Sequence, residues 1–198
     1  MVELVAVFFS AALINNFVLI RFLGICPYLG VSQALSSAVG MGGAVIFVMT
    51  LSSMATWLIH HYLLVEYEIT YLQTVAFILV IATLVQFVEM VLLRFSRPLY
   101  RALGVYLPLI TTNCAIMGLA LLNITEGYNF LETIFHAIGA GVGFLVVLVL
   151  FAAMRERLEQ FDVPSAMEGT PIALLVAALM SMAFMGFSGF NVTALLGG

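Results

Sequence analysis

Long apolar runs separated by short polar segments dominate the chain, and this pattern predicts a protein embedded in a lipid bilayer. A helix needs about 20 predominantly apolar residues to cross roughly 30 Å of hydrocarbon. The pattern predicts an all-α integral membrane protein with six transmembrane helices. They cover approximately residues 5–33, 37–60, 70–93, 102–124, 132–154 and 171–190.

The first and fourth spans differ from the others because polar residues and helix breakers interrupt them. In the first, residues 23–30 read Leu-Gly-Ile-Cys-Pro-Tyr-Leu-Gly, and Pro27 with its flanking glycines predicts a break. In the fourth, residues 107–118 read Leu-Pro-Leu-Ile-Thr-Thr-Asn-Cys-Ala-Ile-Met-Gly. Non-helical backbone at membrane depth is tolerated only where protein buries it or where it lines a cavity. Both segments are therefore expected to face the protein interior.

The charged residues predict an orientation, because loops rich in arginine and lysine stay on the cytoplasmic side of the membrane. The predicted spans put every basic residue on one side: Arg21, Arg94, Arg97, Arg101, Arg155 and Arg157. The other side holds histidines and acidic residues: Glu3, His60, His61, Glu66, Glu68, Glu126 and Glu132. Both termini are therefore predicted to lie on the outer side of the membrane.

Composition supports the same class of protein. The chain is 64% hydrophobic and only 8% charged, whereas a soluble domain carries roughly 25% charged residues. This composition leaves no room for a separate soluble domain. Residues 1–198 are therefore predicted to form one transmembrane domain in contact with lipid. The net charge of −4 and the lack of a basic run argue against nucleic acid as a partner. The N-terminus lacks the positive start and cleavage site of a signal peptide, which predicts a retained first helix.

The two halves of the chain share a short motif that predicts an internal duplication. Cys26 and Cys114 each begin the pattern Cys-x3-Gly, and each lies in the first span of a three-span half. Because three is odd, the second half would run through the membrane in the opposite direction. The prediction is two inverted repeats, approximately residues 1–96 and 97–198, an arrangement that places functional sites at the repeat interface.

The two cysteines admit several interpretations. A free cysteine commonly packs as a small buried hydrophobe, and a disulfide would need Cα atoms within about 7 Å of each other. A zinc site has no evident purpose in this sequence. Thiolates also suit iron–sulfur clusters, and a [2Fe–2S] cluster takes four of them. Since this chain has two, a second chain would have to supply the other pair.

Residues 15–32 and 107–118 resemble the first and fourth helices of the A subunit of Rnf complexes. The first segment reads Asn-Asn-Phe-Val-Leu-Ile-Arg-Phe-Leu-Gly-Ile-Cys-Pro-Tyr-Leu-Gly-Val-Ser, and residues 155–158, 162–164 and 180–189 also match. The wider family includes the E subunit of the same complexes and the paralogous membrane subunits of the sodium-pumping NADH:quinone reductase, Nqr. The resemblance extends over nearly the whole chain.

This resemblance implies a function. Rnf complexes are ferredoxin:NAD⁺ oxidoreductases that couple electron flow to Na⁺ or H⁺ transport. The implied cofactor is a [2Fe–2S] cluster within the membrane, shared between Cys26 and Cys114 of this chain and two cysteines of the paralogous E subunit. The B, C, D and G subunits would be further partners, and NAD⁺ and flavin would bind elsewhere. The alternatives are the E subunit of the Nqr complex and a secondary transporter with passive cysteines.

Several polar residues within the spans are candidates for an ion pathway. An intramembrane carboxylate is costly and points to function by default, which singles out Glu89, although the arginines nearby offer it a pairing role. Polar side chains also hydrogen-bond neighbouring helices in membranes, and this structural role is the alternative for the other candidates. The complete set is Asn15, Asn16, Glu89, Thr111, Thr112 and Asn113.

Overall fold

The computed structural model describes residues 2–32, 35–95, 109–110, 113–158, 160–161, 164 and 167–186, and within them the chain forms helices and connecting turns. We number the α-helices in chain order. They are α1 (Val2–Phe9), α2 (Ile25–Val31), α3 (Leu35–Ile59), α4 (Gln73–Phe95), α5 (Cys114–Thr125), α6 (Phe130–Leu158) and α7 (Thr170–Met185). Wide π-turns extend α1 over Ser10–Ile14 and α3 over His60–Leu64.

Three of the helical segments are long and apolar enough to cross a membrane: Leu35–Leu64, Thr70–Val91 and Phe130–Leu158. They coincide with the predicted second, third and fifth spans. Shorter apolar helices, Leu4–Ile14, Cys114–Thr125 and Thr170–Met185, lie within the other three. The prediction of an all-helical membrane protein is confirmed, whereas the count of six spans and the inverted repeat stay predictions. The boundary between the repeats, at residues 96 and 97, lies outside the described residues.

Helices α1, α3 and α6 form the centre of the bundle, and small residues let their backbones approach closely. A Cβ atom added to Gly139 would lie 2.6 Å from the carbonyl oxygen of Phe8, and one added to Gly143 would lie 2.5 Å from that of Ala12. On the other face of α6, a Cβ on Gly141 would lie 3.0 Å from the Cα of Ile46 in α3. These glycines of α6 therefore serve close helix packing.

The first span is interrupted, as predicted, but at a different place. Helix α1 with its π-turn ends at Asn15, and regular helix resumes only at Ile25. Pro27 does not cause the break. It is the third residue of α2, within the first helical turn, where the backbone N–H that proline lacks has no intrahelical partner in any case. Gly24 precedes α2 with a φ of +86°, a left-handed conformation that glycine adopts at no steric cost.

Side-chain hydrogen bonds engage part of the interrupted backbone and tie it to the neighbouring helices. The side-chain amide of Asn16 donates to the carbonyl oxygens of Ala12 (3.2 Å) and Gly143 (3.0 Å), and its oxygen accepts from the N–H of Val18 (3.1 Å). The hydroxyl of Ser181 in α7 donates to the carbonyl oxygen of Leu19. The break is therefore a fixed part of the fold, held by contacts with α1, α6 and α7.

Beyond the break, α2 and α5 run in opposite directions from the middle of α6. Gly24, at the start of α2, packs against Phe144, which is near the midpoint of α6. The carbonyl oxygen of Leu29, near the end of α2, accepts from Arg155 at the C-terminal end of α6 (3.1 Å). Helix α5 instead ends beside the start of α6, and the loop around Tyr128 connects the two helices. Helices α2 and α5 each have only about half the length needed to span the hydrocarbon, or less.

The predicted position of Arg21 is wrong. The sequence places it with the other arginines, whereas in the structure it lines a cavity together with Glu126 and Tyr128 at the opposite end of α6 from Arg155. The prediction assumed a continuous helix advancing about 1.5 Å per residue. Because the helix ends at Asn15, the chain folds back and carries Arg21 toward the N-terminal end of α6.

The glycine contacts predict the effect of two matched substitutions. Gly143→Ala places a methyl group against the backbone of Ala12 and should destabilise the fold by about 1–3 kcal/mol. Gly43→Ala is the control, because nothing lies within 4 Å of a Cβ there. Thermal unfolding of the purified protein in mild detergent measures both. Equal melting temperatures for the two variants would contradict the proposed packing of α1 on α6.

Candidate functional site

The N-termini of the two half-length helices, α2 and α5, meet beside the cysteines. The backbone N–H of Gly24 donates a hydrogen bond of 2.9 Å to the Sγ of Cys114. A Cβ on Gly24 would lie 3.2 Å from the Cβ of Ala115 and 3.0 Å from the ring of Phe144. The close approach therefore requires glycine, both for its positive φ and for its lack of a side chain. The broken first helix thus places a backbone donor on one of the two sulfurs.

Asn113 sets the start of α5. Its backbone is extended (φ −69°, ψ 110°), and its side-chain oxygen accepts a hydrogen bond of 3.0 Å from the N–H of Ala115, the usual arrangement of an N-cap. Its carbonyl oxygen accepts from Ile116 at 3.1 Å. The side chain is 3% exposed, and its Nδ2 atom has no hydrogen-bond partner among the described residues. Within the described residues, the oxygen of this buried amide is therefore hydrogen-bonded and its nitrogen is not.

Both cysteines lie in the first turns of these helices. Cys26 is the second residue of α2 and Cys114 the first of α5, and both are free thiols exposed on the surface of the chain. Their exposure argues against the role of buried packing residues, and they form no disulfide. The thiolate is the form of cysteine that binds metal. Within the described residues no group of three or more metal-ligating side chains occurs.

An apolar groove opens beside Cys114. It has a volume of about 550 Å³ and lies between α4 and α5. Its walls are formed by Leu23, Ile78, Ile81, Ala82, Asn113, Cys114, Met117, Gly118 and Leu121. Leu23, in the interrupted segment, packs directly on Gly118, where a Cβ would come within 2.5 Å of its side chain. Cys114 is thus accessible from a surface that is apolar apart from Asn113.

The predicted ion-pathway residues separate into different environments. Asn16 is buried and fully hydrogen-bonded within the protein, which gives it a structural role. Asn15 is exposed, with one side-chain contact of 3.3 Å to the hydroxyl of Ser10. Glu89 lies half-buried on α4. Thr111 and Thr112 lie outside the described residues.

A second, polar cavity of about 130 Å³ lies at the N-terminal end of α6. Asn15 and Arg21 of the interrupted segment line it, together with Glu126, Tyr128 and His136. His136 is buried, and its Nδ1 lies 2.5 Å from the Oδ1 of Asn123. Sequence reasoning missed His136, although an ionisable side chain within a predicted span is a functional signal by default.

Tyr128 belongs to the loop between α5 and α6, outside the helices. Burial, reinforced by the carboxylates of Glu126 and Glu132, raises the pKa of its hydroxyl above the usual value. The hydroxyl therefore stays protonated and neutral at physiological pH, and Tyr128 adds no charge to the cavity.

Comparison with known proteins identifies relatives over nearly the full length of the chain. A family described as Rnf-Nqr subunit, membrane protein, matches residues 4–191. The chain is 58% identical over 189 residues to the A subunit of a Na⁺-translocating ferredoxin:NAD⁺ oxidoreductase complex from Acetobacterium woodii, an alignment covering 96% of this chain and 98% of the relative. It is 56% identical to the A subunit of an ion-translocating oxidoreductase complex from Serratia proteamaculans, with the same coverage.

The different environments of the two adjacent asparagines predict different effects of truncation. Asn16→Ala removes three hydrogen bonds and leaves their backbone partners buried, so it should destabilise the protein by roughly 2–4 kcal/mol. Asn15→Ala should change stability by less than about 0.5 kcal/mol, because the side chain is exposed. Chemical unfolding in detergent compares them. A stable Asn16→Ala variant would contradict the structural role assigned to this residue.

Proposed function

Since the chain belongs to the Rnf-Nqr family of membrane subunits, we propose that it is a membrane subunit of an ion-translocating ferredoxin:NAD⁺ oxidoreductase, the Rnf complex. In this role it carries electrons across the bilayer and is not an enzyme by itself. The observation that carries the proposal is the meeting of two helix N-termini, each bearing an exposed free thiol, with the N–H of Gly24 on the Sγ of Cys114. The names of the relatives favour the Rnf complex over Nqr and over a secondary transporter.

The residues present fit two of the four thiolate ligands of a [2Fe–2S] cluster. Cys26 and Cys114 would hold its iron from this chain, and two cysteines of a paralogous membrane protein, the E subunit, would complete the set. The exposure of both thiols supports this division, because ligands to a shared group must lie on the surface of each separate chain. When bound, such a cluster supplies a one-electron carrier within the hydrocarbon.

The residues around the thiols have three tasks in this proposal. The N-termini of α2 and α5 would place the positive ends of their helix dipoles beside the bound group. The N–H of Gly24 donates to the Sγ of Cys114 and fixes its position. Apolar neighbours such as Ile81 and Leu121 exclude water from the groove beside Cys114, which controls the dielectric environment of the site.

The sharing of the site between two chains agrees with the predicted inverted repeat. Helices α2 and α5 begin near the middle of α6 and run toward opposite ends of it, as two inverted halves with interrupted first helices would require. A relative built on the same plan could supply its two cysteines by the same geometry. The B, C, D and G subunits would complete the complex in a cytoplasmic (inner) membrane, with both termini of this chain outside.

The coupling ion in this proposal is Na⁺ or H⁺. Glu89, Asn15 and Asn113, with Thr111 and Thr112, are the candidates for its pathway, while the hydrogen bonds of Asn16 assign that residue to the fold. In support, the cavity that contains Arg21 and His136 carries polar groups from the N-terminal end of α6 into the bundle. Arg94, Arg155 and the orientation rule support a cytoplasmic location for the other end.

Replacement of either thiol tests the proposal. Cys26→Ala and Cys114→Ala, each introduced into the whole complex, should abolish the electron paramagnetic resonance signal of the reduced membrane cluster and lower bound iron and sulfide by one cluster. Electron transfer from ferredoxin to NAD⁺ should be lost as well. Assembly should persist, because both side chains are exposed and pack little of the core.

The control is Gly43→Ala, which alters an open position on α3 and should retain the signal and the activity. Retention of the membrane cluster in both cysteine variants would contradict the proposal. A complex that contains no such cluster even with both thiols present would do the same.

A further inference from the structure

Helix α2 is attached to α6 at two points, one helical turn apart. The ring of Tyr28 stacks on the ring of Phe151, with centroids 4.0 Å apart and planes 17° from parallel. One turn further along α6, the Nη1 of Arg155 donates to the carbonyl oxygen of Leu29 at 3.1 Å and to the hydroxyl of Ser32 at 2.8 Å. Both rings and the serine are buried. Helix α2 therefore cannot slide along α6 without breaking these contacts.

Arg155 is turned toward the protein rather than toward the membrane surface. Arginines near the ends of membrane helices commonly extend to the interface, and Arg157, two residues further on, is exposed. The guanidinium of Arg155 is instead half-buried, 5.9 Å from the ring centre of Phe151, and binds the last turn of α2. The carbonyl oxygens of that turn have no intrahelical partners, and a positive charge there stabilises the negative end of the helix dipole. Arg155 thus holds one particular helix end.

The helix that Arg155 holds also carries one of the two thiols. Cys26 lies three residues before Leu29, about 4.5 Å along the axis of a helix only seven residues long. Just before α2, the N–H of Gly24 donates to the Sγ of Cys114. Because so short a helix moves as a unit, a displacement of its end at Arg155 displaces Cys26 as well.

We propose that Arg155 is a positioning residue, which fixes Cys26 relative to Cys114 by holding the end of α2. The use of the two thiols as cluster ligands rests on the proposed function, whereas their relative position is a property of this chain alone. Groups that orient metal ligands from behind influence both the affinity for the metal and its electronic properties. Arg155 would do so through a helix, without touching either sulfur.

The two thiols can be tested directly, because the chain contains no other cysteine. Dibromobimane becomes fluorescent when it bridges two neighbouring thiols, and monobromobimane reports the reactivity of each thiol separately. Arg155→Met keeps an apolar stem and removes both hydrogen bonds. In the full chain in mild detergent, we expect the bridging rate, normalised to the reactivity of the single thiols, to fall about tenfold, because a charge-assisted hydrogen bond is lost.

Two further variants separate positioning from general effects. Arg157→Met removes the same charge from an exposed site on the same helix and should leave the bridging rate unchanged. Ser32→Ala removes only one of the two hydrogen bonds of Arg155, so bridging should fall about threefold. This milder variant gives the test a second measurement if Arg155→Met fails to fold.

The whole complex provides a spectroscopic measurement. In Arg155→Met the electron paramagnetic resonance signal of the reduced membrane cluster should broaden and shift in g value, because Cys26 would ligate from more than one position. Arg157→Met should retain the native signal. Unfolding temperatures measured on the same samples show how far each substitution destabilises the bundle as a whole.

The inference and the proposed function fail in different ways. A lower unfolding temperature in Arg155→Met, with native bridging rate and g values, would show that Arg155 only stabilises the bundle and would overturn the inference. An equal loss of bridging in Arg157→Met would overturn it too. No bridging in the unmodified chain would contradict the placement of the two thiols. Native bridging in a chain whose complex contains no membrane cluster would instead overturn the proposed function.

Discussion

Hydrocarbon offers no hydrogen-bond partners, so every backbone group released by a broken membrane helix must find one in the protein. This constraint governs the region between Asn15 and Gly24. The amide of Asn16 bonds to two carbonyl oxygens and one N–H, and Ser181 reaches the segment from α7. With these partners in place, the chain can end one helix inside the bundle and begin another there. The break in turn brings the start of α2 beside Cys114.

The break depends on close packing elsewhere in the bundle. Asn16 reaches the carbonyl oxygen of Gly143 only because α1 lies directly on the glycine face of α6. Gly24 reaches Cys114 because it has no side chain to collide with Phe144 and Ala115. Small residues are thus required both at the thiols and in the packing of α1 on α6. They set the positions of two helix ends, and those ends set the positions of the sulfurs.

The long apolar runs were sufficient to predict α3, α4 and α6, because hydrophobic length alone decides whether a helix can cross a bilayer. They were insufficient to predict where the first span is interrupted. Pro27 is the obvious helix breaker in the sequence, yet it occupies the first turn of α2, and the interruption comes earlier, where tertiary contacts of Asn16 stabilise it. The position of Arg21 depends on that break and was therefore wrong. The sequence also could not predict that the Nδ2 of Asn113 has no partner within the described part of the chain, because this depends on which way a single amide points.

We propose that Cys26 and Cys114 jointly hold iron within the membrane, and an iron anomalous difference map from crystals of the complete complex tests this. We expect anomalous density in bonding contact with both Sγ atoms, at the point where α2 and α5 begin. Two sulfurs surrounded only by hydrocarbon, with the iron signal confined to the other proteins of the complex, would contradict it.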